Sequence, residues 1–133
     1  MVIDTSALLA ILQDEPTRVA LVHAIDSAPS RSMSTATFVE CSTVVSSRYG
    51  SEGLRDLDHF ITKAEIRLAP VDADQAFVAR DAFRRYGKGQ HAAGLNFGDC
   101  FAYALAVNLG EPLLFTGGDF ARTDVHRHPA SPG

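Results

Sequence analysis

Met1-Val2-Ile3-Asp4-Thr5-Ser6 is the stretch from which the fold is read. Val2 and Ile3 are adjacent, β-branched and apolar, which suits a short strand buried on both faces of a parallel sheet. Ala7 to Leu12 then reads as a helix. Asp4 therefore falls at the carboxyl end of a strand, where open α/β sheets gather their ligands. A bare carboxylate is not buried there without a partner. Asp4 either caps the helix that follows, as Asp commonly does, or holds something cationic.

Outward from that stretch, strands and helices alternate. A helix from Thr17 to Ser27 carries Val19 and Val22, and Ala20 and Ala24, at helical spacing, with Pro16 in its first turn. Arg31 to Ser34 is a short second strand, and Ser34 or Thr35 caps a helix reaching Arg48. Gly50 ends that helix in a left-handed conformation, and a further helix starts at Ser51. Glu65 to Val71 is a third strand. Asp72 with Gln75 heads a helix through Ala76, Ala79 and Phe83 to Tyr86-Gly87. After a loop from Lys88 to Leu95, a helix runs from Asn96 to Leu109. Pro112 to Thr116 is the fourth strand, and Val125 starts a short edge strand. The pattern predicts an α/β chain: one domain over 1–133, three layers, and a central parallel sheet of four to five strands, with 128–133 frayed. Right-handed crossovers bring the carboxyl ends of all strands to one edge.

Composition narrows the functional classes. The 133 residues are 46% apolar, enough for a full core. No apolar run approaches the roughly 18 residues of a membrane span, and no basic, signal-like segment opens the chain, so a cytoplasmic protein is expected. Cys41 and Cys100 suit reduced core thiols, and the five histidines show no zinc spacing; His126 and His128 read as solvated. A net charge of −4 argues against general coating of nucleic acid, but not against an enzyme that concentrates carboxylates around metal ions.

Such carboxylates are present at the predicted edge. Asp4 ends the first strand, Glu40 lies early in the helix after the second, and Asp99 opens the helix leading to the fourth. Asp119 follows the fourth strand across Gly117-Gly118, with Asp124 just beyond. Each has an ordinary reading as a cap, dipole partner, turn former or solvated residue. Together they repel one another, which a hard divalent cation such as Mg²⁺ or Mn²⁺ relieves. Such an ion polarises a phosphoryl oxygen and makes hydroxide available near neutral pH. Neither a nucleophile elbow nor a Walker loop competes for the chemistry. Arg80, Arg84, Arg85 and Lys88, with His91, crowd before the Asp99 loop; Arg84, Arg85 and Lys88 are the candidate phosphate contacts.

Val2-Ile3-Asp4-Thr5-Ser6-Ala7-Leu8, Phe38-Val39-Glu40, Gly94-Leu95-Asn96-Phe97-Gly98-Asp99-Cys100 and Leu114-Phe115-Thr116-Gly117-Gly118-Asp119-Phe120 together resemble PIN-domain ribonucleases, in particular VapC-type toxins of type II toxin–antitoxin pairs. The resemblance spans nearly the whole chain. It implies a PIN-like sheet flanked by helices, a Mg²⁺ or Mn²⁺ site, and endonucleolytic hydrolysis of RNA by activated water. Asp4, Glu40 and Asp99 carry over as acidic site residues, with Asp119 as the fourth and Asp124 in reserve; Thr5 or Ser6 would orient a ligand. It also implies a small VapB-type antitoxin and a homodimer within the toxin–antitoxin complex. Val44, Val45, Leu54, Leu57 and Phe60 supply apolar side chains for an antitoxin helix. Two rivals stand beside this reading. A Mg²⁺-dependent small-molecule phosphatase would place a second Asp where Ser6 lies. A silent PIN-like binding module would have lost part of the acidic set.

Overall fold

The computed structural model describes residues 1–132. β1 (Val2–Ile3) leads into α1 (Thr5–Leu12), α2 (Arg18–Ser27), β2 (Ser32–Ser34), α3 (Thr35–Lys63), β3 (Arg67–Ala69), α4 (Ala73–Tyr86), α5 (Phe97–Leu109) and β4 (Leu113–Leu114). The four strands form an all-parallel sheet in the order β3-β2-β1-β4. The fifth strand expected at Val125 reduces to a single bridge between Leu113 and Arg127. It is framed by bonds from the Leu113 amide to the His126 carbonyl and from the His128 amide back to Leu113.

Alternation along the short strands splits the core between the two faces. Ile3, Met33 and Leu114 point to α1, α2 and α3, where Leu8, Ile11, Leu21, Ile25 and Leu57 are buried. Val2, Leu113 and Phe115 point the other way, against α5 and α4. Period-two side chains on a doubly covered sheet produce this division, and both faces need to be apolar. Three of the buried residues of α5 are alanines, at 102, 104 and 106, which lets its backbone close on the sheet.

The break expected at Gly50 is present within α3, at φ 65° and ψ −153°, with a helix on either side. Other elements differ from the sequence reading. Val19 is 77% exposed, because α2 buries Leu21, Ala24 and Ile25 instead. Val45 and Leu57 are core residues, and Leu54 and Phe60 pack against the core, so little of the expected apolar groove on α3 is free. The exposed apolar side chains of α3 are Val39 and Tyr49. Asp72 accepts from the Gln75 amide, but the Gln75 side chain turns to the Pro70 carbonyl, leaving the capping box half made. The tail expected to fray from His128 packs as far as Ser131, whose buried hydroxyl accepts from the Phe115 amide and donates to the Leu113 carbonyl. That hydroxyl supplies the bonds a further strand would have given β4.

Candidate active site

One carboxylate oxygen of Asp4, Oδ2, accepts from the Ser6 amide at 3.0 Å and from the Ser6 hydroxyl at 2.7 Å, which caps α1. The other, Oδ1, is buried with no hydrogen-bond partner. Capping α1 thus takes up one oxygen of the side chain and leaves the other without a partner. Ser6 Oγ also accepts from the Thr116 amide at 3.0 Å, tying the end of β4 to Asp4.

Glu40 reaches the same edge from the second turn of α3. Thr5 donates its hydroxyl to Glu40 Oε1 at 2.5 Å. The Glu40 carboxylate lies against the Cα of Gly98: a Cβ there would fall 1.7 Å from Oε2. Gly98 is therefore the space that admits Glu40. A glycine in the first turn of a helix is costly to order, and that cost is the signal in the sequence for a close approach. Asp99 is held in a reciprocal capping box: its amide donates to Asn96 Oδ1 at 2.9 Å, and Asp99 Oδ2 accepts from the Asn96 amide at 3.0 Å. The Asn96-x-x-Asp99 spacing carries that box in the sequence.

Asp119 stands exposed ahead of a short 3₁₀ turn, Phe120–Arg122, and makes no capping bond. Buried Phe120, packed on Phe115 at 5.2 Å between ring centroids, anchors the turn. Asp124 does not join the group. It accepts from the Tyr103 hydroxyl at 2.6 Å and from Arg85 at 3.2 Å, and these donors hold its carboxyl below the usual range.

Charge shows which groups share a field. Burial pushes the Asp4 carboxyl up to about 6, with Glu40 adding to the rise against the opposing bonds from Ser6. Burial pushes Asp99 up to about 7, with Asp4, Glu40 and Asp119 contributing. Asp124 has no part in either. The neighbouring thiols, Cys41 raised to about 12 and Cys100 to about 11, are buried and unreactive. Among the described residues no three His, Cys, Asp or Glu side chains stand as a ready-made ligand set. Like charges with no counter-ion turn to local donors, here Thr5, Ser6 and Asn96. The donors are all oxygen, one of them buried and unpartnered, which suits Mg²⁺ or Mn²⁺.

The basic residues lie to one side. Arg84 pairs with Asp81 at 2.7 Å, while Arg85 reaches Asp124 and stacks over Tyr86. Lys88 is exposed, in a loop closed by a bond from its amide to the Leu95 carbonyl. His91 is turned inward, its ring edge-on to Tyr86 at 5.2 Å and its Nδ1 accepting from the Ala93 amide. None of the four is recorded in contact with the carboxylates.

Comparison with known proteins decides the family, since the PIN-domain model matches residues 1–126. The chain belongs to the PIN-domain family. A ribonuclease VapC of Mycolicibacterium smegmatis is 57% identical over 125 residues, covering 94% of this chain and 97% of that relative. Ribonuclease VapC30 of Mycobacterium tuberculosis is 51% identical over the same length. Among solved structures, the Mycobacterium tuberculosis toxin VapC20, described as cleaving the sarcin-ricin loop, superposes with a TM-score of 0.75 at 19% identity. It covers 93% of this chain and 95% of that one. VapBC2 of Rickettsia felis, bound to a promoter DNA fragment, gives 0.70 at 12% identity over 91% and 90%. At these identities the two structures establish that the PIN fold is shared. The strand order and the edge that collects Asp4, Glu40, Asp99 and Asp119 are features of this PIN domain itself. No helix among its described residues is long and apolar enough to cross a membrane.

Proposed function

We propose that this PIN domain is a Mg²⁺- or Mn²⁺-dependent endoribonuclease and the toxin of a toxin–antitoxin pair, restrained by a small VapB-type antitoxin. One observation carries the reading: Asp4 and Asp99, on different elements, are both buried and both raised toward neutrality in a shared field with Glu40 and Asp119. Buried carboxylates raised in this way cluster at functional sites. Relatives named ribonuclease VapC, at 57% and 51% identity over nearly the full length, support the choice of RNA and of a toxin role. Solved toxin–antitoxin complexes of the same fold support a partner chain.

Asp4, Glu40 and Asp99 would hold the ion, with Asp119 completing the acidic rim. The bound ion would supply charge neutralisation at the phosphoryl oxygens and a more acidic water. The chain's own part is positional. Ser6 fixes one oxygen of Asp4 and leaves the other free, Thr5 aims Glu40, and Asn96 aims Asp99. With water as the nucleophile and the 3′ oxygen as the leaving group, the products carry 5′-phosphate and 3′-hydroxyl ends. Ser6 occupies the place of the second Asp of an aspartyl phosphatase, which disfavours that reaction.

Induced expression in a bacterial host tests the toxin reading. Wild type should arrest growth, and Asp4→Ala, shown folded by circular dichroism, should not. Equal growth arrest by both proteins would overturn the assignment of Asp4, and harmless expression of wild type would overturn the toxin role.

A further inference from the structure

Phe97 is the first residue of α5, two positions before Asp99, and it is 77% exposed. Its ring stands edge-to-face on Phe101 at 4.9 Å, so it is held upright rather than folded down. Beside it, between α4 and α5, lies an apolar groove of about 290 Å³ lined by Phe83, Arg80 and Cys100 among others. Cys100 follows Asp99, so one turn of α5 carries both a residue of the groove and a carboxylate of the edge. Arg80, the cation among its lining residues, lies over the Phe77 ring at 5.0 Å and pairs with no carboxylate among the described residues.

We infer that Phe97 is a stacking platform for a base of single-stranded RNA, holding a nucleotide next to the one to be cut. The inference rests on the ribonuclease reading and names how that site grips its substrate. Single-strand binders combine a cationic track with aromatic faces, because every base has a π-face and every linkage a phosphate. Here Phe97 and Asp99 stand in the same first turn of α5, and the groove beside Phe97 is lined by Arg80. An isologous pairing with a second copy would bring the same cation from the other side, whereas a polyanion neutralises it. Because the ring is exposed, the fold does not depend on it. A base laid on Phe97 is handled without hydrogen-bond readout, so the contact favours unpaired over duplex RNA more than one base over another.

Binding of short single-stranded RNAs carrying 2-aminopurine tests the platform, with Ca²⁺ replacing Mn²⁺ so that the strand stays uncut. Wild type should quench the fluorophore at one position along the strand. Phe97→Ala should lose that quenching and weaken binding about tenfold or more, and Phe97→Trp should restore both. The rise in melting temperature with Mn²⁺ should be the same for all three proteins. Unchanged affinity and quenching in Phe97→Ala, with cleavage in Mn²⁺ intact, would overturn the platform and leave the ribonuclease reading standing. A dimer that dissociates on Phe97→Ala without loss of RNA affinity would also overturn it, assigning the face to a second copy. If wild type neither binds nor cuts RNA, both readings fall together.

Discussion

The carboxylate of Glu40 occupies the place where a side chain at position 98 would begin: a Cβ on Gly98 would lie 1.7 Å from Oε2 and 2.3 Å from Cδ. Two acidic residues far apart in sequence, Glu40 and Asp99, are brought to one edge because residue 98 has no side chain. Gly98→Ala should therefore swing Glu40 away from Thr5. The displaced atoms are the far end of a flexible side chain, so the stability cost should stay within about 1 kcal/mol. The Mn²⁺-induced rise in melting temperature should shrink markedly. Thermal unfolding with and without Mn²⁺ measures both, and a full metal response in Gly98→Ala would show that Glu40 is not needed there.

Ser6 joins β1 to β4 through one hydroxyl, donating to Asp4 and accepting from the Thr116 amide. Ser6→Ala removes both bonds and should cost about 1–3 kcal/mol, since it leaves a half-buried donor unsatisfied. Ser6→Thr keeps the hydroxyl and should recover most of that. Urea denaturation of the three proteins gives the comparison; an unperturbed midpoint for Ser6→Ala would remove the latch.

Burial raises the Asp4 carboxyl to about 6 and that of Asp99 to about 7, both above the unfolded value near 4. Between those limits the folded chain binds more protons than the unfolded one, so stability falls as pH rises. Without metal, the protein should gain about 4 kcal/mol between pH 8 and pH 5, with one pKa unit worth about 1.4 kcal/mol. Asp99→Asn should flatten the profile and raise stability at pH 8. A profile that rises with pH across this window would contradict the shared field at the carboxylates.

Lys88 is exposed and unpaired among the described residues, whereas Arg84 and Arg85 are engaged with Asp81 and Asp124. If RNA phosphates are held here, Lys88→Ala should weaken binding and flatten its salt dependence more than Arg84→Ala does. Filter binding at several salt concentrations reads both. Equal affinities and slopes for wild type and a variant carrying both Arg84→Ala and Lys88→Ala would make these residues a solvated face.

Much of this was legible in the sequence. Strand and helix alternation carried the layers, and Asp4, Glu40, Asp99 and Asp119 were placed at one edge by the carboxyl-end rule for parallel sheets. Position along the chain did not resolve side-chain engagement. Asp119 and Asp124 look alike in the sequence, five residues apart, yet Tyr103 and Arg85 claim the second and nothing claims the first. Gly98 read as part of a motif, but its role depends on a glutamate from another helix. Val19 and Phe97 fit an apolar pattern and are exposed, because periodicity marks a face without saying what lies opposite it. The tail read as frayed from its prolines, while Ser131 supplies β4 with partners that composition does not reveal.

The central claim, that the Asp4–Glu40–Asp99–Asp119 edge hydrolyses RNA with a divalent ion, is tested most directly by incubating structured RNA with wild type and Asp99→Asn, in Mn²⁺ and in EDTA, and sequencing the fragment ends. The account predicts discrete cleavage by wild type in Mn²⁺ alone, with 5′-phosphate and 3′-hydroxyl ends, and none by Asp99→Asn. Cleavage in EDTA, or equal cleavage by Asp99→Asn, would contradict it.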